Sequence, residues 1–275
     1  MIERVWLFHC GYVSIPVPLV DSDAEMAFRK LPMMGALAEH AERGPILIDA
    51  PFGHEGPANA GLLTAGLLKT VGLKFKADWS VAARIEQIGF RPGEVDHALM
   101  THLHVDHTGG MKTLGRTHFH VSRDEWDYAN RLSPIAAKAK GYAPDDYRTL
   151  RARIEEFDTP APLDEDDLDG VDLFGDGSVT AVGLPGHAFG HVGFLLRTTD
   201  DRQIFHLGDA AFSLEQVTER HGLGPMPKSF AYDVEQARET LRTLRLFHQN
   251  SSEVTLINSH DFGLGETCLE GPVTV

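Results

Sequence analysis

The sequence has little of three features that mark particular classes of protein. It contains two cysteines in 275 residues, too few for the disulfide framework of a small secreted protein. No apolar run approaches the roughly 20 residues of a membrane-spanning helix. Lysine and arginine together number 25 against 40 acidic residues, which leaves a formal net charge of −15. That balance argues against nucleic acid or an anionic membrane as a partner, because both bind proteins through clusters of Lys and Arg side chains.

The first residues of the chain and its organisation bear on location and on the number of domains. The first ten residues are typical of a strand and not of a secretory signal peptide. We therefore expect a cytoplasmic protein whose two thiols, Cys10 and Cys268, stay reduced. Neither an internal repeat nor a long linker interrupts the sequence, so we expect one domain over residues 1–275.

Short apolar runs alternate with helical patterns, which predicts an α/β fold built from layers. The runs rich in Val, Ile, Leu or Phe predict strands at Val5–Phe8, Ile46–Ile48, Ala98–Thr101, His118–Val121, Val179–Val182, Gly193–Arg197, Ile204–Leu207 and Val254–Ile257.

Three helices have clear start signals. Ser80 precedes an apolar stripe that ends at Gly89. Ser122 and Glu125 have the spacing of a capping box, which predicts a helix running toward Arg131. Asp233 caps a long helix with one apolar face, formed by Val234, Ala237, Leu241, Leu244 and Phe247.

Histidine is the abundant exception, with 15 residues. Four side chains form an H-x-H-x-D-H pattern within residues 101–110, namely His102, His104, Asp106 and His107. Strand alternation after Ala98–Thr101 would place the first three on one side, and a turn at 108–110 would bring His107 round. Imidazole and carboxylate ligands suit zinc, and also manganese or iron.

One loop cannot complete a metal site, and three further residues offer the missing ligands. His187, Asp209 and His260 each follow a predicted strand. Ligand sites in α/β proteins form where strands end at their carboxyl edge. The sequence therefore predicts a site for two metals.

These residues together resemble the signature of the metallo-β-lactamase superfamily. The resemblance implies an αββα sandwich of two mixed sheets flanked by helices. It assigns one metal to His102, His104 and His187, the second to Asp106, His107 and His260, and a bridging role to Asp209. It also implies that Asp49 orients a ligand, although Asp49-Ala-Pro stands here where the family usually has Asp-Thr-Gly. We expect His191 to support the turn after His187 and not to bind metal.

Within the superfamily the sequence resembles the quorum-quenching N-acyl-homoserine lactonases, along residues 172–178, 185–191 and 208–212. The resemblance implies a hydrolase in which a metal-bridging hydroxide opens a lactone ring, with N-acyl-homoserine lactone as the favoured substrate. Asp106 would pass a proton to the leaving alkoxide. Those lactonases usually carry a tyrosine where this chain has Phe212, a residue expected in the substrate pocket. The missing hydroxyl leaves the substrate carbonyl to the second metal or to another tyrosine, among Tyr12, Tyr128, Tyr142, Tyr147 and Tyr232.

Several alternatives stay open at this point. The same site suits another ester, such as a thioester, a phosphoester or an organophosphate, and a non-catalytic metal-binding protein is a different class. The cofactor is expected to be two divalent ions, zinc first, with manganese, iron or cobalt compatible with the same ligands. The partner is expected to be a small-molecule ester or lactone; related lactonases are often dimers, which allows a homodimer. Apolar stretches at 12–20, 33–34 and 52–73 would line an acyl pocket or belong to the core or an oligomer surface.

Overall fold

Two mixed β-sheets form the centre of the fold. A computed structural model describes residues 1–56, 72–164 and 169–275 of the chain. In those ranges the strands are β1 Ile2–Pro16, β2 Phe28–His40, β3 Gly44–Ile48, β4 His97–Leu99, β5 His118–Ser122, β6 Ile154–Phe157, β7 Val171–Asp172, β8 Val179–Gly183, β9 Val192–Arg197, β10 Gln203–His206, β11 Thr255–Ile257 and β12 Val273–Thr274.

The first sheet has seven strands in the order β12-β1-β2-β3-β4-β5-β6, and the second has five in the order β11-β10-β9-β8-β7. In the first sheet β3, β4, β5 and β6 run parallel to one another, while β12, β1, β2 and β3 pair antiparallel. In the second sheet only the β10–β11 pair is parallel. Both sheets are therefore mixed, as predicted.

The helices of the described residues are α1 Val81–Ile88, α2 Val105–Thr108, α3 Arg123–Arg131, α4 Pro134–Ala139, α5 Pro144–Tyr147, α6 Glu215–Thr218, α7 Pro225–Phe230, α8 Val234–Asn250 and α9 Phe262–Thr267. The three predicted helix starts are confirmed. The side chains of Ser80, Ser122 and Asp233 each accept a hydrogen bond from a backbone N–H in the first turn. Gly89 ends α1 with φ +116°, a conformation that favours glycine.

The core has three layers because successive strand residues face opposite sides of a sheet. Ile46 and Ile48 of β3 point between the sheets, where they meet Phe194 and Ile204 of the second sheet. Leu47 points the other way, into the layer under α1 and α3. On the far side, α8 packs its apolar face, including Leu241, Leu244 and Phe247, onto the second sheet. The layers are helix, sheet, sheet and helix, and the αββα sandwich expected from the resemblance is confirmed.

The sequence did not predict β2, and it placed the end of β4 two residues too late. β2 reads Phe-Arg-Lys-Leu-Pro-Met-Met-Gly-Ala-Leu-Ala-Glu-His, with no β-branched residue and with Pro32 and Gly35 inside. It is a strand because β1 and β3 pair with it on both edges. The short strands β6, β7 and β12 also escaped prediction.

No membrane-crossing helix is found in the part of the chain that the structure describes, since none of its helices is both long and apolar enough.

Candidate metal centre

The loops that follow β4, β8, β10 and β11 meet at one edge of the two sheets. They carry the seven side chains that the sequence singled out, and all seven lie in one cluster: His102, His104, Asp106, His107, His187, Asp209 and His260. Six of the seven are buried, and the side chain of Asp106 is 24% exposed. The cluster is thus largely buried, and Asp106 is its most exposed side chain.

Strand alternation predicted that the chain after β4 continues as a strand, and this prediction is wrong. The strand ends at Leu99, and α2 begins at Val105. In a helical turn successive side chains are about 100° apart, so Asp106 and His107 both reach the centre as neighbours. The turn is fixed from outside, because the N–H of Ala50 donates to the carbonyl of His107 at 2.8 Å and the N–H of Val105 donates to that of Gly141 at 2.9 Å.

A first group of three imidazoles converges on one point. The ligand atoms of His102, His104 and His187 all lie within 4.8 Å of one another. Nδ1 of His104 is 2.9 Å from Nε2 of His187. Two nitrogens bound to one tetrahedral zinc at about 2.05 Å lie roughly 3.3 Å apart, so this spacing is close to that of a shared ion.

A second group lies beside the first. Nε2 of His260 is 3.5 Å from Oδ2 of Asp106, and Nε2 of His107 is 4.0 Å from its Oδ1. Asp209 lies between the groups, with Oδ1 3.3 Å from His107 Nε2 and Oδ2 3.3 Å from His187 Nε2. Its carboxylate therefore faces both groups at once.

Three of the imidazoles are held from behind through Nδ1, which turns Nε2 toward the centre. His107 donates from Nδ1 to Oδ2 of Asp49 at 2.8 Å. His260 donates from Nδ1 to the carbonyl of Pro32 at 2.6 Å. His102 pairs through Nδ1 with the hydroxyl of Thr101 at 3.0 Å.

His191 holds the backbone and does not enter the ligand cluster. Its Nδ1 donates to the carbonyl of Leu184 at 3.0 Å, and its Nε2 accepts from the N–H of Asp209 at 3.0 Å. A side chain at Gly208 would strike this ring, since its Cβ would lie 2.6 Å from Nε2, and Gly208 has φ +56°. The contact therefore sets the position of Asp209 through its peptide.

The candidate histidine ligands fall into two groups by pKa, according to their burial and to the charges beside them. Burial lowers the pKa of His104 to about 4 and lowers the pKa of His102 and His187 well below the ordinary value. These rings are neutral, the form that binds metal. Burial also lowers the pKa of His107, but the carboxylates of Asp209 and Asp49 outweigh it and hold the pKa well above the ordinary value.

Several buried polar atoms of the cluster lack any hydrogen-bond partner among the described residues. They are Nε2 of His102, Nε2 of His107 and Oδ1 of Asp209. A buried polar atom left without a partner costs about 1–3 kcal/mol. Lone pairs of nitrogen and carboxylate oxygen that converge in this way are the donor set of a divalent cation, so the residues fit bound metal.

A cavity of about 330 Å³ opens above the cluster. Five candidate ligands line its floor: His104, Asp106, His187, Asp209 and His260. The described walls are almost entirely apolar, formed by Val13, Ile15, Leu19, Leu31, Met33, Val105, Phe212, Met226 and Phe230. Val13, Ile15 and Leu19 of the stretch 12–20 thus line this cavity together with Met33, whereas Met34 lies between the sheets. Residues 57–71 of the stretch 52–73 lie outside the described residues, and Phe52 belongs to the core beneath α1.

Phe212 forms part of the cavity wall and packs on both ligand groups. Its ring stacks on His260 with centroids 5.0 Å apart and an angle of 11°, and it meets His187 edge-on at 5.5 Å. None of the five tyrosines is among the described lining residues. Tyr142 packs against His104 at 4.6 Å, but its hydroxyl bonds to Glu125.

Glu125, like Thr101, lies near the centre and was not singled out from the sequence for a functional role. The Ser122–Glu125 spacing marked it as part of a helix cap. Its carboxylate instead accepts from the N–H of Leu103 at 2.9 Å and from the N–H of Gly190 at 3.1 Å. It therefore contacts both loops that carry the first imidazole group.

Comparison with known proteins gives both a family and relatives. The sequence model of the Metallo-beta-lactamase superfamily matches residues 41–249. The N-acyl homoserine lactonase AttM of Agrobacterium fabrum is 29% identical over 184 residues, which cover 67% of this chain and 65% of that protein. The matched region is thus less than two thirds of the length of that relative.

Solved structures share the fold over nearly the whole chain. An N-acyl homoserine lactone hydrolase with N-hexanoyl-L-homoserine bound at its catalytic metal centre has a TM-score of 0.72 and 17% identity, and the match covers 99% of this chain and 100% of that one. AidC, a dizinc quorum-quenching lactonase, has a TM-score of 0.64 and 13% identity, over 94% and 90% of the two chains. At such identities the likeness is one of fold.

Proposed function

The chain belongs to the metallo-beta-lactamase superfamily, and from this premise we propose that it is a two-metal hydrolase that opens a lactone ring. The observation that carries the proposal is the position of the cluster. Seven candidate ligands lie in one cluster, several of them with unpartnered buried atoms, and five of the seven line the floor of an apolar cavity. A metal centre at the base of a wall without charged side chains suits a neutral ester with an apolar substituent.

We assign one divalent ion to His102, His104 and His187, the other to Asp106, His107 and His260, and Asp209 to both. When bound, two such ions, zinc first, supply a nucleophile from water at neutral pH and a Lewis acid for the carbonyl oxygen. Asp49 keeps the proton of His107 on Nδ1, so that Nε2 faces the centre. The carbonyl of Pro32 does the same for His260.

Asp106 is assigned the transfer of a proton to the leaving alkoxide. It lines the cavity, and its carboxylate is the part of the cluster that reaches beyond the buried interior. A general acid must contact the leaving group, which an enclosed carboxylate could not do. The seven ligands include no serine or cysteine, and no such nucleophile is needed.

The cavity wall narrows the choice among ester substrates. No lysine or arginine is among the described lining residues. A phosphoester, or a thioester carried on a phosphorylated cofactor, would bring negative charge with no cation from these walls to meet it. A lactone with an alkyl or acyl chain is neutral and would bury that chain against Leu31, Met33 and Phe230. The relatives described as N-acyl homoserine lactonases support the same class.

A substrate panel measured on zinc-loaded protein tests the proposal. Ring opening releases an acid, so a pH-stat assay follows it directly. The panel holds N-acyl homoserine lactones, alkyl lactones without the amide, a thioester and a phosphotriester. We expect the lactones to have the highest kcat/KM. A thioester or phosphotriester that exceeds every lactone would overturn the assignment, and zinc content in the same samples would show whether the centre was loaded.

A further inference from the structure

Glu125 is a fully buried carboxylate in α3 that is not among the candidate ligands. Burial raises its pKa, while hydrogen bonds from the N–H groups of Gly190 and Leu103 and from the hydroxyl of Tyr142 act in the opposite direction. Three donors around one buried carboxylate are more than a helix needs. A buried carboxylate is costly unless such donors surround it, so this arrangement calls for a reason beyond stability.

Helix capping accounts for the contact of the Ser122 hydroxyl but not for the contacts of the Glu125 carboxylate. The hydroxyl of Ser122 accepts from the N–H of Glu125 at 3.4 Å, as a cap should. In a capping box the glutamate would return to the N–H of the cap residue. Here the carboxylate of Glu125 spans Leu103 and Gly190.

Gly190 is clamped at both of its polar groups. Its N–H donates to Oε2 of Glu125 at 3.1 Å, and its carbonyl accepts from the hydroxyl of Ser122 at 2.6 Å. The approach is so close that a Cβ at Gly190 would lie 2.2 Å from the backbone nitrogen of Glu125. The start of α3 therefore fixes the loop after β8 at this peptide.

The two peptides that Glu125 holds flank the first imidazole group. Leu103 lies between His102 and His104, in the loop from the seven-stranded sheet. Gly190 lies three residues after His187, in the loop of the five-stranded sheet. His104 and His187 come from these separate loops, yet their facing nitrogens are 2.9 Å apart. The spacing between the loops decides whether the two nitrogens reach one ion.

We propose that Glu125 is a positioning residue that joins the two histidine loops and so sets the metal affinity of the group His102, His104 and His187. The inference rests on the proposed metal centre and adds to it the residue that fixes its geometry. Tyr142 belongs to the same arrangement, because its hydroxyl bonds to Glu125 while its ring packs against His104 at 4.6 Å.

The test is Glu125→Gln, which keeps the length of the side chain. The amide oxygen can accept from one of the two N–H groups, but the amide NH₂ then opposes the other. Zinc affinity is measured by competition with a chromophoric chelator, and the visible spectrum of the cobalt-loaded protein reports ligand geometry. We expect zinc binding at least about ten-fold weaker, as for other residues that hold ligands in place, and a changed cobalt spectrum.

Asp21→Asn is the matched control. Asp21 is also buried, and it accepts from the N–H of Asp23, the hydroxyl of Ser213 and Nδ1 of His221. None of these partners is a candidate ligand. The control is expected to lower stability while leaving zinc affinity and the cobalt spectrum as in the wild type, which separates positioning from general destabilisation.

Wild-type zinc affinity and an unchanged cobalt spectrum in Glu125→Gln would overturn the inference and leave the proposed function intact. A wild-type chain that binds no zinc would instead overturn the metal centre, and the inference with it. If Glu125→Gln does not fold, Ser122→Ala decides, because it releases the carbonyl of Gly190 together with the cap hydrogen bond from the N–H of Glu125 and leaves the carboxylate itself unchanged. It is expected to weaken zinc binding several-fold, and unchanged binding would count against the proposal.

Discussion

Replacing Asp49 with asparagine removes one defined support of the metal centre. Asp49 is fully buried; its Oδ1 accepts from the N–H of Thr101, and its Oδ2 accepts from the Thr101 hydroxyl and from Nδ1 of His107, each at 2.8 Å. In Asp49→Asn the amide oxygen can keep the N–H, and the hydroxyl can turn to accept from the NH₂. The N–H of His107 would face that NH₂ and lose its acceptor.

The size of the effect follows from that single loss. A hydrogen bond to a charged group contributes about 1.5–3 kcal/mol, equivalent to roughly 10- to 150-fold in an equilibrium constant. The substitution adds no backbone strain, because Asp49 has φ +57° and asparagine tolerates that region as readily as aspartate. We therefore expect zinc affinity to fall by one to two orders of magnitude at the group that contains His107.

The assay is zinc competition against a chelator for the wild type, Asp49→Asn and Asp21→Asn. Asp21 offers a close match, since it too accepts from a backbone N–H, a hydroxyl and a histidine Nδ1. Wild-type affinity in Asp49→Asn would refute the reasoning. An equal loss in Asp21→Asn would also refute it, because the effect would then come from destabilisation alone.

Three further predictions concern the reaction and its linkage to protons. Asp106→Asn should lower kcat by 10² or more with little change in KM, and steady-state kinetics showing only a raised KM would exclude the proton-transfer role. Each methylene added to the substrate chain should raise kcat/KM about four-fold, because burial of one CH₂ contributes ~0.8 kcal/mol. The rise should stop when the cavity of about 330 Å³ is full. A kcat/KM that does not change with chain length would contradict an apolar site for the chain. Although burial lowers the pKa of His107 and His260, carboxylate neighbours raise both above the ordinary value, so zinc binding at pH 7 should release protons and weaken as pH falls. Calorimetry in buffers of different ionisation enthalpy measures this release, and no buffer dependence would contradict it.

Three of the nine helices of the described residues, α1, α3 and α8, could be predicted from the sequence because their signals are local. Ser80 and Gly89 bound α1 by rules that concern a single turn, and Asp233 begins α8 in the same way. β2 has no such signal. Pro32 and Gly35 disfavour a strand, and only pairing with β1 and β3 makes it one.

The clustering of the candidate ligands could also be predicted, because each follows a strand or extends the histidine motif, and the structure places all seven in one cluster. The backbone path of the H-x-H-x-D-H motif could not be predicted from the sequence. Hydrogen bonds from distant residues, such as Ala50 to His107 and Val105 to Gly141, close the helical turn. Glu125 shows the same limit, since its spacing from Ser122 indicates a cap, while its partners at Leu103 and Gly190 come from the tertiary fold.

The metal content of the chain tests the central claim most directly. Protein equilibrated with zinc, freed of excess metal and analysed by elemental mass spectrometry should hold two zinc ions per chain, one for each ligand group. Substitution of His187 by alanine should leave fewer than two, because that ring belongs to one group alone. One ion per chain in the wild type, or none, would contradict the two-metal centre and the hydrolytic function built on it.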